Sequence, residues 1–66
     1  MRSAEKKVSV VIPALDEENG IRHTISSIPE SELRELGYEL EILVVDGNST
    51  DSTREISARM GAKVLI

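Results

Sequence analysis

No cysteine occurs in the 66-residue chain, so disulfide staples and thiolate metal sites are excluded. Aromatic side chains are nearly absent: Tyr38 stands alone, without Phe or Trp. A platform for stacking the bases of single-stranded nucleic acid is therefore missing. Positive charge is in deficit, with 8 Lys and Arg against 12 Asp and Glu and a net charge of -4. That balance argues against nucleic acid as a partner. No apolar run approaches the ~18 residues of a membrane-spanning helix. The start, Met1 to Lys7, is short and charged, and the apolar run behind it is cut by Pro13 and then by acids. This is not the pattern of a secretory leader, and a cytoplasmic location is the expectation. Repeats and low-complexity segments are lacking as well. A chain of this length holds one domain at most, and such a domain is marginal without disulfides, metals or association.

What is present is an α/β pattern. Residues 1–7 read as a flexible, solvated arm, and residues 8–66 as the folded part. Val8-Ser9-Val10-Val11-Ile12 is a β-branched run expected to form a strand buried on both faces and ended by Pro13. A helix is expected from Glu17, with Asp16 as its N-cap and Ile21, Ile25 and Ile28 as its apolar stripe. Ser27 and Glu30 suggest a capping box for a second, short helix with Leu33 and Leu36 inward and Gly37 at its end. Leu40 to Val45 is a second strand. Another helix is expected from Asp51 or Ser52, with Ser52 and Glu55 as a capping box, Ile56 and Met60 on one face, and Gly61 as its stop. Ala62 to Ile66 opens a third strand.

This order, β-α-β-α-β, predicts a three-stranded parallel sheet with right-handed crossovers. Two such crossovers in one direction place the helices on the same face. The other face is then uncovered, although Val11 and its counterparts on the second strand are apolar. The chain also stops within a strand at Ile66. Both features predict a fragment of a longer protein. For the chain by itself they predict self-association or a partner on the bare face.

Parallel neighbouring strands bring their carboxyl ends to one edge, where ligands bind in open α/β sheets. Pro13 to Glu17 and Asp46 to Asp51 meet there. Neither Gly-x-x-x-x-Gly-Lys nor Gly-x-Gly-x-x-Gly is present, so no phosphate cradle is recognisable. Ionised carboxylates accept hydrogen bonds, which suits base N–H groups, ribose hydroxyls or a divalent metal better than bare phosphate. Asp46, an acid directly after four apolar strand residues, is the leading candidate. Gly47 and Asn48 are expected to use positive φ and bring the backbone close to a ligand. Asp16 and Asp51 read either as helix caps or as ligand contacts. Glu17 reads as a helix-dipole partner or a ligand contact, and Glu18 as solvated. His23, Arg22 and Arg54 are expected at the surface, and Met60 in the core. A non-catalytic α/β interaction module, docking through the bare sheet face, is an alternative. A receiver-like domain with Asp46 as phospho-acceptor is a weaker one.

Val8 to Glu18, with its Pro13-Ala14-Leu15-Asp16-Glu17-Glu18 segment, followed by Ile42-Leu43-Val44-Val45-Asp46-Gly47-Asn48-Ser49-Thr50-Asp51-Ser52-Thr53, resembles the amino-terminal part of family 2 glycosyltransferases of the GT-A fold. The Pro-Ala-Leu-Asp-Glu-Glu form is similar to the dolichyl-phosphate or polyprenyl-phosphate hexose synthases. The resemblance spans residues 8–66. It implies a truncated Rossmann-like nucleotide-binding domain from an inverting enzyme that moves a hexose from a nucleoside diphosphate sugar to an acceptor, a lipid phosphate. A location at the cytoplasmic face of the membrane goes with such an acceptor. Pro13, Ala14 and Leu15 would line the nucleoside pocket, Glu17 would lie at the ribose, and Asp46, beside Gly47, would accept from the base. Asp51 would brace the loop and the start of the helix. A divalent metal, Mg or Mn, is implied for the full-length enzyme. Its ligands, the catalytic base and the acceptor site belong to later segments, so the chain alone is expected to be inactive. Three positions depart from the family pattern. Leu15 stands where many members have an aromatic, Gly47 where many have a second acid, and Asp16 where Asn is commoner.

Overall fold

The computed structural model, which describes residues 6–66, runs β1 (Lys6–Ala14), α1 (Ile21–Ser26), α2 (Glu30–Glu35), β2 (Tyr38–Asp46), α3 (Thr53–Arg59) and β3 (Lys63–Leu65). The strands form one parallel sheet in the order β1-β2-β3. This is the expected α/β arrangement, with the short second helix included in the first crossover.

Register follows from which residues must leave water. Val10 pairs with Ile42, Ile12 with Val44 and Ala14 with Asp46, and Val44 pairs in turn with Val64. These positions share one face, because strand side chains alternate. Ile21 and Ile25 of α1 pack there against Ala14 and Val44, with Ile56 of α3 and Met60 just after it beside them. Fully burying side chains of this size stabilises by ~1.5–3 kcal/mol each. The opposite face is bare: Val11, Val45 and Leu65 are exposed. The expectation of helices on a single face holds.

Several expected boundaries move. β1 begins at Lys6, so Lys6 and Lys7 belong to the sheet rather than to the arm; residues 1–5 of that arm lie outside the described residues. Lys6 pairs with Tyr38, and its ammonium sits 5.4 Å from the ring centroid, which favours the extra pairing. Pro13 does not end β1. The Gly47 N–H donates to the Ala14 carbonyl at 2.8 Å, so Ala14 faces β2 and the Pro13 nitrogen faces the open edge. A missing N–H is harmless on an edge strand.

Helix starts differ as well. α1 begins at Ile21 after a turn in which Glu17 O accepts from Gly20 N and Ile21 N, at 2.9 and 2.8 Å. Asp16 therefore does not cap it. The expected capping boxes at Ser27 and Ser52 are not formed. The Ser27 hydroxyl instead donates to the His23 carbonyl at 2.7 Å, closing the end of α1. Leu36 is 70% exposed, because α2 is a single turn and a half lying at the edge of β2. Gly37 and Gly61 end their helices with φ of 90° and 95°, a left-handed conformation that glycine enters freely.

Candidate functional site

The carboxyl ends of β1 and β2 open into two loops, residues 15–20 and 47–52, that are stitched together. Nearly every stitch joins a side chain of one loop to a backbone amide of the other. Asp16 N–H donates to Ser49 Oγ at 2.8 Å, and Thr50 N–H donates to Asp16 Oδ1 at 2.8 Å. Glu17 N–H donates to Thr53 Oγ1 at 2.8 Å and Glu18 N–H to Asp51 Oδ2 at 3.1 Å. Ser52 N–H returns the favour to Glu18 Oε1 at 2.9 Å. Short polar side chains suit this task because they satisfy amides that a strand ladder has abandoned.

The ladder is abandoned because Asp16 and Asn48 are left-handed, with φ of 51° and 74°. Asp and Asn tolerate this region better than other non-glycine residues. Positive φ was expected at Gly47 too, but among the glycines only Gly37 and Gly61 adopt it. The Gly47 N–H still adds a bond to the end of the β1–β2 ladder.

A cleft of about 350 Å³ lies over this edge, lined by Pro13, Ala14, Leu15, Glu17, Val45, Asp46 and Gly47. All six sequence-derived site residues meet there, and Val45 joins them. Leu15 is 58% exposed and forms an apolar wall. Ala14 is buried, so it offers the floor rather than a handle.

Asp46, expected to accept from the base, lines the cleft, but in the free chain its carboxylate is turned into its own loop. Its side chain has no accessible surface. Oδ2 accepts from Ser49 N at 2.7 Å, from Asn48 N at 2.9 Å and from Arg54 Nη1 at 3.2 Å, while Oδ1 accepts from the Ser49 hydroxyl at 2.5 Å. The hydrogen bonds from Ser49 hold its carboxyl below the usual value; burial opposes them, and Asn48 N–H and the Arg54 charge assist. In the free chain the carboxylate is thus an anchor for the loop that carries Gly47. Asp51 is likewise held low, first by the Thr53 hydroxyl. It accepts from Thr53 N at 2.9 Å as well as from Glu18 N, so it joins the loop to the start of α3.

Three contributors were not anticipated. Arg54, expected in solvent, is two-thirds covered and paired with Asp46. Thr53 and Ser57 are fully buried, with Ser57 Oγ donating to Thr53 O at 2.7 Å. Their spacing of one helical turn on the Ile56–Met60 side was a usable signal. His23 is exposed, as expected, and Met60 packs on the core. Among the described residues no three His, Asp or Glu side chains cluster to hold a metal.

A ligand cleft at the carboxyl edge of a parallel sheet, framed by a strand-loop-helix unit, defines a nucleotide-binding α/β fold of the Rossmann-like class. Comparison with known proteins makes this specific. The family model described as glycosyl transferase family 2 matches residues 9–65, and the chain belongs to that family. An uncharacterised glycosyltransferase of Mycobacterium tuberculosis is 42% identical over 59 residues, covering 89% of this chain and 23% of that protein. The 4,4'-diaponeurosporenoate glycosyltransferase of Staphylococcus haemolyticus is 37% identical over 59 residues, covering 89% of this chain and 14% of its own length. Glucosyl-3-phosphoglycerate synthase from Mycobacterium tuberculosis, solved in complex with Mn2+, UDP and glucosyl-3-phosphoglycerate, superposes with a TM-score of 0.72 at 40% identity. The match covers 94% of this chain and 21% of that one. The chain therefore spans between about a seventh and a quarter of the length of these relatives.

Proposed function

We propose that the cleft holds the nucleoside end of a nucleoside diphosphate sugar, and that the chain is the donor-binding part of an inverting glycosyltransferase that moves a hexose. The observation that carries this is the meeting of Pro13, Ala14, Leu15, Glu17 and Gly47 in one cleft at the strand ends. Leu15 and Val45 give the face of a base an apolar seat. Glu17 lies at the rim, where a carboxylate accepts from ribose hydroxyls. Asp46 and Arg54 keep the Gly47 loop in shape beneath them. UDP in the structurally similar synthase supports a nucleoside diphosphate as the ligand.

The proposal extends to parts that other residues of a whole enzyme supply. A divalent ion, Mg or Mn, would neutralise the diphosphate there. The described residues do not fit it: no ligand cluster is formed, and the Asp16, Asp46 and Asp51 carboxylates already accept from the chain's own donors. The 66 residues alone transfer no sugar in this reading. The acceptor is a phosphate-bearing molecule, and the Pro-Ala-Leu-Asp-Glu-Glu segment supports a lipid phosphate at the cytoplasmic face of the membrane. Titration of the chain with UDP, followed by amide NMR, tests the reading. Shifts confined to Leu15, Glu17, Gly47 and their neighbours are expected at roughly millimolar ligand. Shifts absent there, or spread evenly over the sheet, refute it.

The bare sheet face favours one further activity. Val11, Val45 and Leu65 form an exposed apolar strip, so the isolated chain pairs with a second copy through it. Sedimentation equilibrium showing a folded monomer at all concentrations would reject this.

A further inference from the structure

We propose that Thr53 is a positioning residue for Glu17, so that a hydroxyl buried inside α3 governs how the cleft meets the sugar of its nucleoside. The proposal rests on the donor-binding reading above and adds to it a residue that does not line the cleft.

Thr53 is 0% exposed. Its hydroxyl does two things at once. Oγ1 accepts from the Glu17 N–H at 2.8 Å and donates to Asp51 Oδ1. Asp51 is fixed in turn: Oδ1 takes the Thr53 N–H at 2.9 Å and Oδ2 takes the Glu18 N–H at 3.1 Å. The Asp51–Thr53 pair therefore holds two consecutive amides of the opposite loop. The other side of the Glu17 peptide is tied as well, since its carbonyl accepts from Gly20 N and Ile21 N at 2.9 and 2.8 Å. Glu17 is thus pinned at its N–H by α3 and at its C=O by the turn that opens α1.

Its carboxylate is treated differently. It makes no hydrogen bond to the described residues, and its Oε1 lies 3.3 Å from where a Cβ on Gly20 would stand; Glu17 itself is a lining residue of the cleft. The backbone of Glu17 is tied on both sides, while its head group is unbonded among the described residues. That is the arrangement a binding residue needs: few conformations to lose, and an acceptor left unspent. Among the described residues Thr53 is the side chain of α3 that bonds directly to Glu17. A hydroxyl is required because the position must accept from one group and donate to another; valine, of the same shape, does neither.

The test combines amide hydrogen exchange with a double-mutant cycle, using the 66-residue chain and UDP as the probe. In the wild type the Glu17 amide exchanges slowly; an amide as fast as an open loop overturns the proposal without any variant. Thr53→Val, or Thr53→Ala should the valine form not fold, speeds exchange at Glu17 by ~10-fold while Val44 stays protected. Thr53→Ser restores the wild-type rate. UDP affinity falls ~5–10-fold in Thr53→Val, and in the Glu17→Gln background the same change costs less than about 2-fold. Full additivity of the two changes overturns the claim that Thr53 acts through Glu17. If exchange responds as described but UDP leaves the spectrum unchanged, the donor-binding reading fails while the link from Thr53 to Glu17 stands.

Discussion

Arg54 reaches the Asp46 carboxylate at 3.2 Å from the first turn of the helix that follows the loop. The acid has no exposed surface and the guanidinium keeps about a third of its own. Removing either partner is therefore unequal. Arg54→Gln takes away one of four donors and leaves a carboxylate still held by Ser49 and Asn48. Asp46→Asn keeps the shape but turns an amide NH2 toward N–H and O–H groups that need acceptors. A modest fall in the urea midpoint is expected for Arg54→Gln and a much larger one for Asp46→Asn. Equal effects would show that the pair, rather than the loop amides, is what Asp46 serves.

Acid should find the same weak point. Asp46 and Asp51 titrate below their usual 3.8 in the folded chain. Between that value and their folded values the unfolded chain binds more protons, so stability falls as pH falls. Above pH ~5 their contribution is fully present and flat. Unfolding monitored by circular dichroism is expected to begin below 3.8, the unperturbed value of both groups. Asp46→Asn, already weakened at neutral pH, should show a shallower acid limb. A steep loss of structure between pH 5 and 7 would assign the sensitivity to other groups.

Neighbouring positions on β2 offer a test of register. Val44 is 0% exposed against α1, whereas Val45 is 40% exposed on the bare face. Val44→Ala should cost ~2 kcal/mol in transfer and cavity terms. For a domain this small that is a large part of the total. Val45→Ala should shift the urea midpoint little, and Val45→Lys should leave the fold intact while reducing self-association in sedimentation. A reversed order would mean that the sheet buries its other face.

Much of this frame was legible in the residues. The run Ile42 to Val45, the Ile21–Ile25 pair and the stops at Gly37 and Gly61 depend on local pattern, which sequence carries directly; Ile28, expected on the same stripe, lies beyond the end of α1 and outside the core. The strand-end rule then brought Pro13 to Glu17 and Asp46 to Gly47 to one edge. What stayed hidden was the direction of side chains in the loops. Asp16, read as a cap for its own helix, bonds to Thr50, and Asp51 reaches Glu18 across 33 residues. Such stitches are set by two left-handed residues, Asp16 and Asn48, on different loops. A sequence window cannot relate them. The orientation of Asp46 is hidden for the same reason: a carboxylate at a strand end can face the ligand or its own loop, and Arg54, the cation that helps to hold it inward, lies 8 residues away on a helix.

Gly47 separates the needs of the fold from the needs of the cleft. Its φ is not left-handed, so no backbone strain requires glycine there. A Cβ would stand 3.6 Å from the Ala14 carbonyl oxygen and 3.6 Å from Leu15 Cδ1, which is ordinary contact. Gly47→Ala should therefore keep or raise stability, by as much as ~0.5 kcal/mol, through a less flexible unfolded chain. The added methyl nevertheless occupies the cleft between Leu15 and the strand end. Under the donor-binding reading it fills space that a nucleoside needs, and UDP affinity should fall ~10-fold, the equivalent of 1.4 kcal/mol. Calorimetric melting and UDP titration on one sample compare the two directly. A variant that melts no lower than wild type but binds UDP poorly supports a ligand at Gly47. A variant that binds as well as wild type places the nucleoside elsewhere on the strand edge.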